Sequence, residues 1–293
     1  MSVKLSRLIK RCLVELLYIT TLAYMLFQQA FTGRMNVHSL ILAFLFGLLS
    51  IVYGYLMGDI RDAIIGYLAS LALATAVSVL LIRRPIEIYI SEVSAELVTM
   101  HSLRNALIYA LFAITPFSIV LIPIGVYLTT VVDSNTMMYV LFISLTLVPS
   151  SMLIVSYNRY CGSIYSIRRL EVHVEDISIG LVSNRAFLNM TYTISNGGIR
   201  EVRIVLINYK IYFGQEIARD VSENFYALPL VIRPHVIVTR YMSVEVPKFK
   251  IERNLIASGK LRVSIIFEIY LKTPFGNTPV TFHYTTLLSP LQA

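Results

Sequence analysis

The 293-residue chain is 56% hydrophobic and 14% charged, with a mean hydropathy of +0.70 and a formal net charge of +8. A composition this apolar excludes an ordinary soluble protein and points to a membrane. The basic excess falls late, with sixteen Lys/Arg against ten Asp/Glu from Asn158 onward and nine against seven before it, but without the aromatic interleaving of a nucleic-acid groove. Anionic headgroups are the expected partner of such a domain, and nucleic acid is not.

Five apolar runs fill the first half, at 12–32, 38–58, 63–82, 106–131 and 136–157. At ~1.5 Å per residue, about 20 residues cross a ~30 Å hydrocarbon core. The pattern predicts a five-helix transmembrane domain over 1–165. Lys4, Arg7, Lys10 and Arg11 before the first run imitate a signal peptide, but Gln28, Gln29, Ala30 and Phe31 make a poor cleavage site, so a retained helix is expected. Glu15, one turn into that run, stands four residues after Arg11. An ion pair or headgroup contact is the plain reading, and a buried functional carboxylate the alternative.

Runs two and three are joined only by 59–62, which predicts a tight antiparallel hairpin with Asp62 capping the third span. Ser50, Gly54 and Gly58 recur every four residues on the second run, and Gly66, Ser70, Ala74 and Ser78 on the third. Such small-residue ridges allow close helix approach. Depth counting pairs Gly54 with Gly66, and packing inside the hairpin competes with a homo-oligomer face. Pro85 is expected to start a separate amphipathic helix over 86–104, with Ile86, Ile90, Val93, Leu97 and Met100 on one stripe. Pro116 and Pro123 are the kink candidates of the fourth span, which also keeps a gating reading open. The residues at 133–135 supply the last short turn. Five crossings put Cys12 and Cys161 on opposite sides and exclude an intrachain disulfide. The absence of Trp and the four Gln, beside many Ile, Val, Tyr and Arg, fit a heat-adapted, archaeal source.

From Leu170 the period changes to two. Strands are expected at 170–175, 188–194, 202–213, 236–246, 261–271 and 279–286, separated by Asn196 to Gly198, Gly214, Pro234, Pro247, Gly259 and Gly276. Six or seven strands over 166–293 predict an antiparallel β-sandwich, so the fold class is α+β: a membrane bundle followed by a sandwich domain.

The residues from Ile194 to Gly198, the strand from Val205 to Gly214, the Pro-preceded strand from Val236 to Val246 and the closing Tyr270 to Gly276 carry a resemblance. This order resembles the late-embryogenesis-abundant, water-stress (WHy) family, over 170–288 only. The resemblance implies a fibronectin-III/Ig-like sandwich and a binding or stress-associated role. The family's Asn-Pro-Asn-like turn is replaced here by Asn196, Gly197 and Gly198.

Chemistry is sparse. The five histidines stand apart, and His173 with Glu175, expected on one side of a strand, lack a third ligand. With no P-loop, nucleophile elbow, zincin helix or dinucleotide fingerprint in the sequence, no enzyme, cofactor or metal is expected. The expected function is a non-enzymatic envelope protein whose helices anchor a sandwich that binds protein or lipid. A small transporter or channel subunit is the alternative. The basic residues before the first span, together with the Asn189 to Thr191 glycosylation triplet, favour a cytoplasmic N-terminus and an exterior β domain.

Overall fold

In the computed structural model, which describes residues 2–32, 37–90, 92–132, 135–182, 185–248, 251, 260–273 and 276–288, the chain divides into two compact units, Met1–Cys161 and Gly162–Ala293. The first holds helices α1 (Ser2–Thr32), α2 (Val37–Met57), α3 (Ile60–Tyr89), α4 (Glu92–Tyr109) and α5 (Thr115–Leu128), and most of α6 (Asn135–Arg168). A π-turn, Ala110–Ile114, joins α4 to α5. The expected turn at 133–134 and the turn at Gly259 lie outside the described residues.

Among the described residues, four stretches are long and apolar enough to cross a membrane: Leu40–Met57, Ile60–Tyr89, Ala95–Leu128 and Thr136–Arg168. The sequence pattern predicts five runs, the fifth being the one that forms α1. The first run is the least apolar, because α1 is a core helix: Tyr18, Thr21, Leu22, Leu26 and Gln29 are buried. It packs on α3 and α4, and its polar groups bond neighbouring helices.

The separate amphipathic helix over 86–104 is also corrected. Pro85 lies inside α3, which continues to Tyr89 and breaks at Ile90 (φ −117°, ψ −81°). A proline frees the carbonyl four residues before it; one residue along from that carbonyl, Tyr160 donates to Ile82 at 2.9 Å. The stripe is split as a result. Ile86 is buried at the end of α3, whereas Leu97 and Met100 on α4 are 68% and 73% exposed.

Pro116 sits in the first turn of α5 directly after the π-turn, where the Thr115 N–H reaches back five residues to the Ala110 carbonyl. Local π geometry is one way a helix accommodates a proline ring. Pro123 lies inside α5.

The hairpin between α2 and α3 closes as its spacing predicts, with a different cap. Gly58 adopts φ +72° and its N–H returns to the Gly54 carbonyl at 3.1 Å, ending α2 in a left-handed residue that glycine reaches without strain. Gly58 is therefore a terminator rather than a packing residue. Asp59 is the cap, accepting from the Asp62 N–H at 3.0 Å. Asp62 instead adds first-turn negative charge, favourable at a helix N-terminus.

Among the described residues the second unit has eight strands: β1 (Leu170–Val182), β2 (Arg185–Asn196), β3 (Val202–Phe213), β4 (Glu216–Asn224), β5 (Leu230–Ile232), β6 (Ile237–Val246), β7 (Leu261–Thr273) and β8 (Gly276–Leu288). They form two antiparallel sheets, β1-β2-β6 and β4-β3-β7-β8, with β5 added to β3. Leu188, Met190, Tyr192 and Ile194 of β2 are buried, as are Ile207, Tyr209, Ile211 and Phe213 of β3 and Val263, Ile265, Phe267 and Ile269 of β7. The rings of Tyr192, Tyr209 and Phe267 meet between the sheets at 5.4–5.9 Å. Pro279 falls on β8, which among the described residues pairs only with β7, and an edge strand is where a sheet tolerates proline.

β4 and β5 were not expected. The sequence of β4 carries almost no apolar alternation because it is an edge strand, and β5 has three residues. A register shift between Val174 and Asp176 separates His173 from Glu175 in the pattern, and His173 approaches Glu171 at 3.4 Å. The Asn189 triplet lies inside β2 with both neighbouring strands paired, and the Asn189 side-chain oxygen accepts from Ser243 and Tyr241. It lends no support to an exterior placement.

Candidate functional site

The helical unit closes around buried hydroxyls contributed by α1, α2, α3 and α5. Ser50 Oγ donates to the Phe46 carbonyl at 3.0 Å, and stands 2.8 Å from the Tyr18 hydroxyl and 3.1 Å from Ser118 Oγ. A serine has one proton and two lone pairs, so with its proton on Phe46 it accepts from both neighbours and is fully satisfied. Tyr67 bonds Thr115 Oγ1 at 2.8 Å, just past the π-turn. Tyr18 stacks on Tyr53 (4.1 Å, 12°) and meets Tyr67 edge-on (6.5 Å). The Tyr53 hydroxyl is buried without a hydrogen-bond partner among the described residues.

Charges sit at the edge of this cluster. Arg11 reaches Asp62 at 3.0 Å and Glu15 at 3.7 Å, all three half-exposed. Glu15 thus shares Arg11 rather than standing alone inside the unit. Two further α1 polar groups are tied to α6, Thr20 to Ser150 at 2.8 Å and Gln28 to Ser156 at 2.7 Å. A groove of about 420 Å³ lies between α1, α2 and α6, lined by Thr21, Met25, Phe46, Leu49, Leu145 and Met152.

The small-residue ridges are placed differently from the expectation that Gly54 meets Gly66. A Cβ built at Gly54 would overlap the Ile122 carbonyl of α5, and one at Gly66 would overlap the Tyr53 hydroxyl. Across the same contact, a Cβ at Gly125 would lie 2.8 Å from the Ile51 carbonyl carbon and 2.9 Å from the Tyr55 nitrogen. The close pair is therefore α2 with α5. Ser118 and Gly125, which complete this seam, escape a sequence search because Ile122 interrupts their ridge. Ser70 and Ala74 are buried, and Ser78, on the same ridge, donates to the Ala23 carbonyl of α1 at 3.0 Å.

In the sheet unit the turn after β2 is the most connected feature. Buried Asn196 donates from Nδ2 to the carbonyls of Arg200 (2.7 Å) and Ile232 (3.0 Å), and its Oδ1 accepts from the Gly198 N–H at 2.9 Å. The turn also binds the last turns of α6: Arg200 N–H donates to Ser166 Oγ at 2.8 Å and Gly197 N–H to the Arg169 carbonyl at 3.0 Å. Gly198 lies so close to Ser166 that a Cβ would overlap it. Here Asn196 holds the turn through its side chain.

Between the sheets, Tyr192 and Tyr209 share a hydrogen bond beside the Arg240–Glu223 ion pair at 2.6 Å. Burial first, and for Tyr209 then the neighbouring Tyr192, raises both hydroxyls above the ordinary tyrosine range. At the surface, the Lys210 hydrogen bond lowers the Glu268 carboxyl. Among the described residues no three His, Cys, Asp or Glu side chains converge on one point. These arrangements hold helices and sheets together; none pairs a nucleophile with a base.

No protein-family model matches the chain, and no curated protein matches it. Solved structures do. A protein from Archaeoglobus fulgidus is 14% identical, with 40% of this chain and 97% of that chain covered and a TM-score of 0.31. A protein from Arabidopsis thaliana is 10% identical (41% and 80% covered, TM-score 0.33). A provisionally assigned late embryogenesis abundant protein is 14% identical (51% and 88% covered, TM-score 0.32). The structural neighbours thus include the family that the strand order of the C-terminal unit resembles.

Proposed function

We propose that this is a multi-pass membrane protein whose helices hold a fibronectin-III/Ig-like, water-stress-type β domain at the membrane surface. It serves there as the non-enzymatic scaffold or accessory subunit of an envelope complex. The observation that carries the reading is the inverted polarity of the helical unit. Phe112, Leu97, Met100, Leu147 and Ile154 point outward, while Ser50, Ser70, Ser78 and Ser118 are buried. Outward hydrocarbon suits lipid, and inward small and hydroxyl side chains suit helix contact in lipid.

In this reading α1 also crosses. Tyr18 packs against Tyr53 of α2 and Tyr67 of α3, so α1 accompanies two apolar helices through the bilayer. Five crossings place the termini on opposite sides, and the basic residues Lys4, Arg7, Lys10 and Arg11 in the first turns of α1 favour an exterior β domain. The strand-and-turn order supports a binding, stress-associated role for that domain.

The test is purification of the full chain from its native membranes after alkaline carbonate washing. Retention in the pellet and a partner recovered in fixed ratio support the reading. Release by carbonate overturns the membrane anchor, and a lone monomer overturns the scaffold. One observation favours a small transporter or channel subunit instead: the orphaned Tyr53 hydroxyl, in the same buried cluster as the Tyr67–Thr115 bond beside the π-turn. Flux in reconstituted vesicles that Glu15→Gln abolishes would establish that reading.

A further inference from the structure

The sheet unit exposes its largest apolar side chains mainly at one end. Ile199 follows the Asn196 turn; Val236 and Ile237 open β6; Tyr226 and Leu228 lie on the connection from β4 to β5. Ile237 is 65% exposed and Leu228 83%. Hydrogen bonds bring these segments together. Asn196 N–H donates to the Val236 carbonyl, His235 N–H to the Asn196 carbonyl, and Phe225 N–H to the Val205 carbonyl near the start of β3. An exposed apolar patch on a domain whose other outward positions are mostly polar needs an occupant.

The same end receives the last turns of α6. A Cβ at Gly162 would lie 3.5 Å from Ile199 and 3.2 Å from Arg200. The apolar stretch of α6 starts at Thr136. About 20 residues at ~1.5 Å each fill the hydrocarbon core, and the remaining residues up to Gly162 cover roughly the depth of one headgroup layer. Tyr157 and Tyr160 fall in this part of α6, where interfacial aromatics belong, and Tyr165 follows within the next turn. Arg168, Arg169, Arg200 and Arg233 surround the end, exposed, and no carboxylate among the described residues pairs with them.

We propose that this end of the sheet unit is a lipid-contacting surface: Ile199, Val236, Ile237 and Leu228 enter the headgroup layer beside α6, and Arg200 and Arg233 bind anionic lipid phosphates. The inference rests on the membrane reading above. Apolar insertion flanked by arginine is the chemistry of interfacial binding. It makes the β domain a reader of lipid charge rather than a free module on a stalk.

The chain has no tryptophan, so a single introduced Trp is the sole such reporter. Full-length Ile237→Trp, Leu228→Trp, Gln215→Trp and Leu147→Trp are placed in nanodiscs of phosphatidylcholine with brominated acyl chains, with and without phosphatidylserine. Gln215 lies in the β3–β4 turn at the other end of β3, and Leu147 faces outward on α6. Leu147→Trp should be quenched most. Ile237→Trp and Leu228→Trp should be quenched roughly twofold more than Gln215→Trp, with emission shifted to the blue, as for an interfacial ring. Phosphatidylserine should deepen their quenching, and Arg200→Gln with Arg233→Gln should abolish that dependence.

If Ile237→Trp and Leu228→Trp match Gln215→Trp while Leu147→Trp is quenched, the end faces water or a protein partner and the inference falls, leaving the membrane reading intact. If Leu147→Trp is itself unquenched, both fall. A phosphatidylserine effect that survives the double arginine variant overturns the role given to Arg200 and Arg233.

Discussion

Replacing Gly125 by alanine tests the seam between α2 and α5. The new methyl would stand 2.8 Å from the Ile51 carbonyl carbon and 2.9 Å from the Tyr55 nitrogen, and closer still to the Ile51 carbonyl oxygen. Unstrained carbon contacts need about 3.5–4.0 Å, so the two backbones must part by about 1 Å, a gap that forfeits a quarter to a half of the dispersion energy along the seam. No rotamer relieves the clash, because backbone atoms form it. Overpacking of this kind costs about 1–3 kcal/mol, and the higher helix propensity of alanine returns about 1 kcal/mol. A net loss of about 1–2 kcal/mol at the upper end of that range is expected, read as a fall of several degrees in the thermal midpoint in detergent. Gly54→Ala, aimed at the Ile122 backbone from the opposite helix, should behave alike. The double variant should cost less than the sum, since one displacement opens room for both methyls. Unchanged or raised midpoints in both single variants would mean that helix propensity wins and that the helices do not touch there.

Asn196→Ala strips two carbonyls and one N–H of their partners, and at ~1–3 kcal/mol per unsatisfied buried group should destabilise the sheet unit by about 3 kcal/mol or more, seen as earlier loss of the β signal in urea. Tyr192 and Tyr209 hold their protons more tightly folded than unfolded, so their contribution is full below their ordinary value of 10.0 and fades as pH rises above it. Tyr209→Phe should therefore flatten the decline in thermal midpoint above that pH, and an unaltered slope would refute the burial argument. An exterior β domain should let a membrane-impermeant maleimide label intact cells through Cys161, which is half-buried, and Cys161→Ser should remove that label. Labelling only after lysis would put the domain in the cytoplasm.

Much of the architecture was legible because each half obeys one strong period. The hairpin around Asp59 and the strands around Tyr192, Tyr209 and Phe267 follow directly from apolar runs and alternation. Helix partners were not legible. The ridge of Ser50 and Gly54 points to a close neighbour without naming it, and Gly66 matched Gly54 in depth while Gly125 matched it in space. Pro85 and Pro116 misled for a physical reason. In water a proline ends a helix, whereas packed helices supply substitute donors or a π-turn, so α3 and the α4–α5 segment run on. β4 was hidden because only Ala218 on it is buried, and β5 because three residues are too few to show a period; the alternation that reveals a strand is the record of burial.

The two units solve opposite solvation problems with the same residue types. In the helices, on the membrane reading proposed above, serine and glycine are inside because they allow close contact, and leucine such as Leu147 is outside because hydrocarbon tolerates it. In the sheets, Ile194, Ile207 and Ile269 are inside and charge is outside. An exposed Leu97 therefore requires no partner beyond lipid, but an exposed Leu228 or Ile237 does. The sheet end that carries Ile199, Leu228 and Ile237 is the exception within its own unit. On the lipid-contact proposal the exception follows the rule proposed for the helices: where the surroundings are lipid, apolar side chains face outward, and arginines mark the level at which lipid gives way to water.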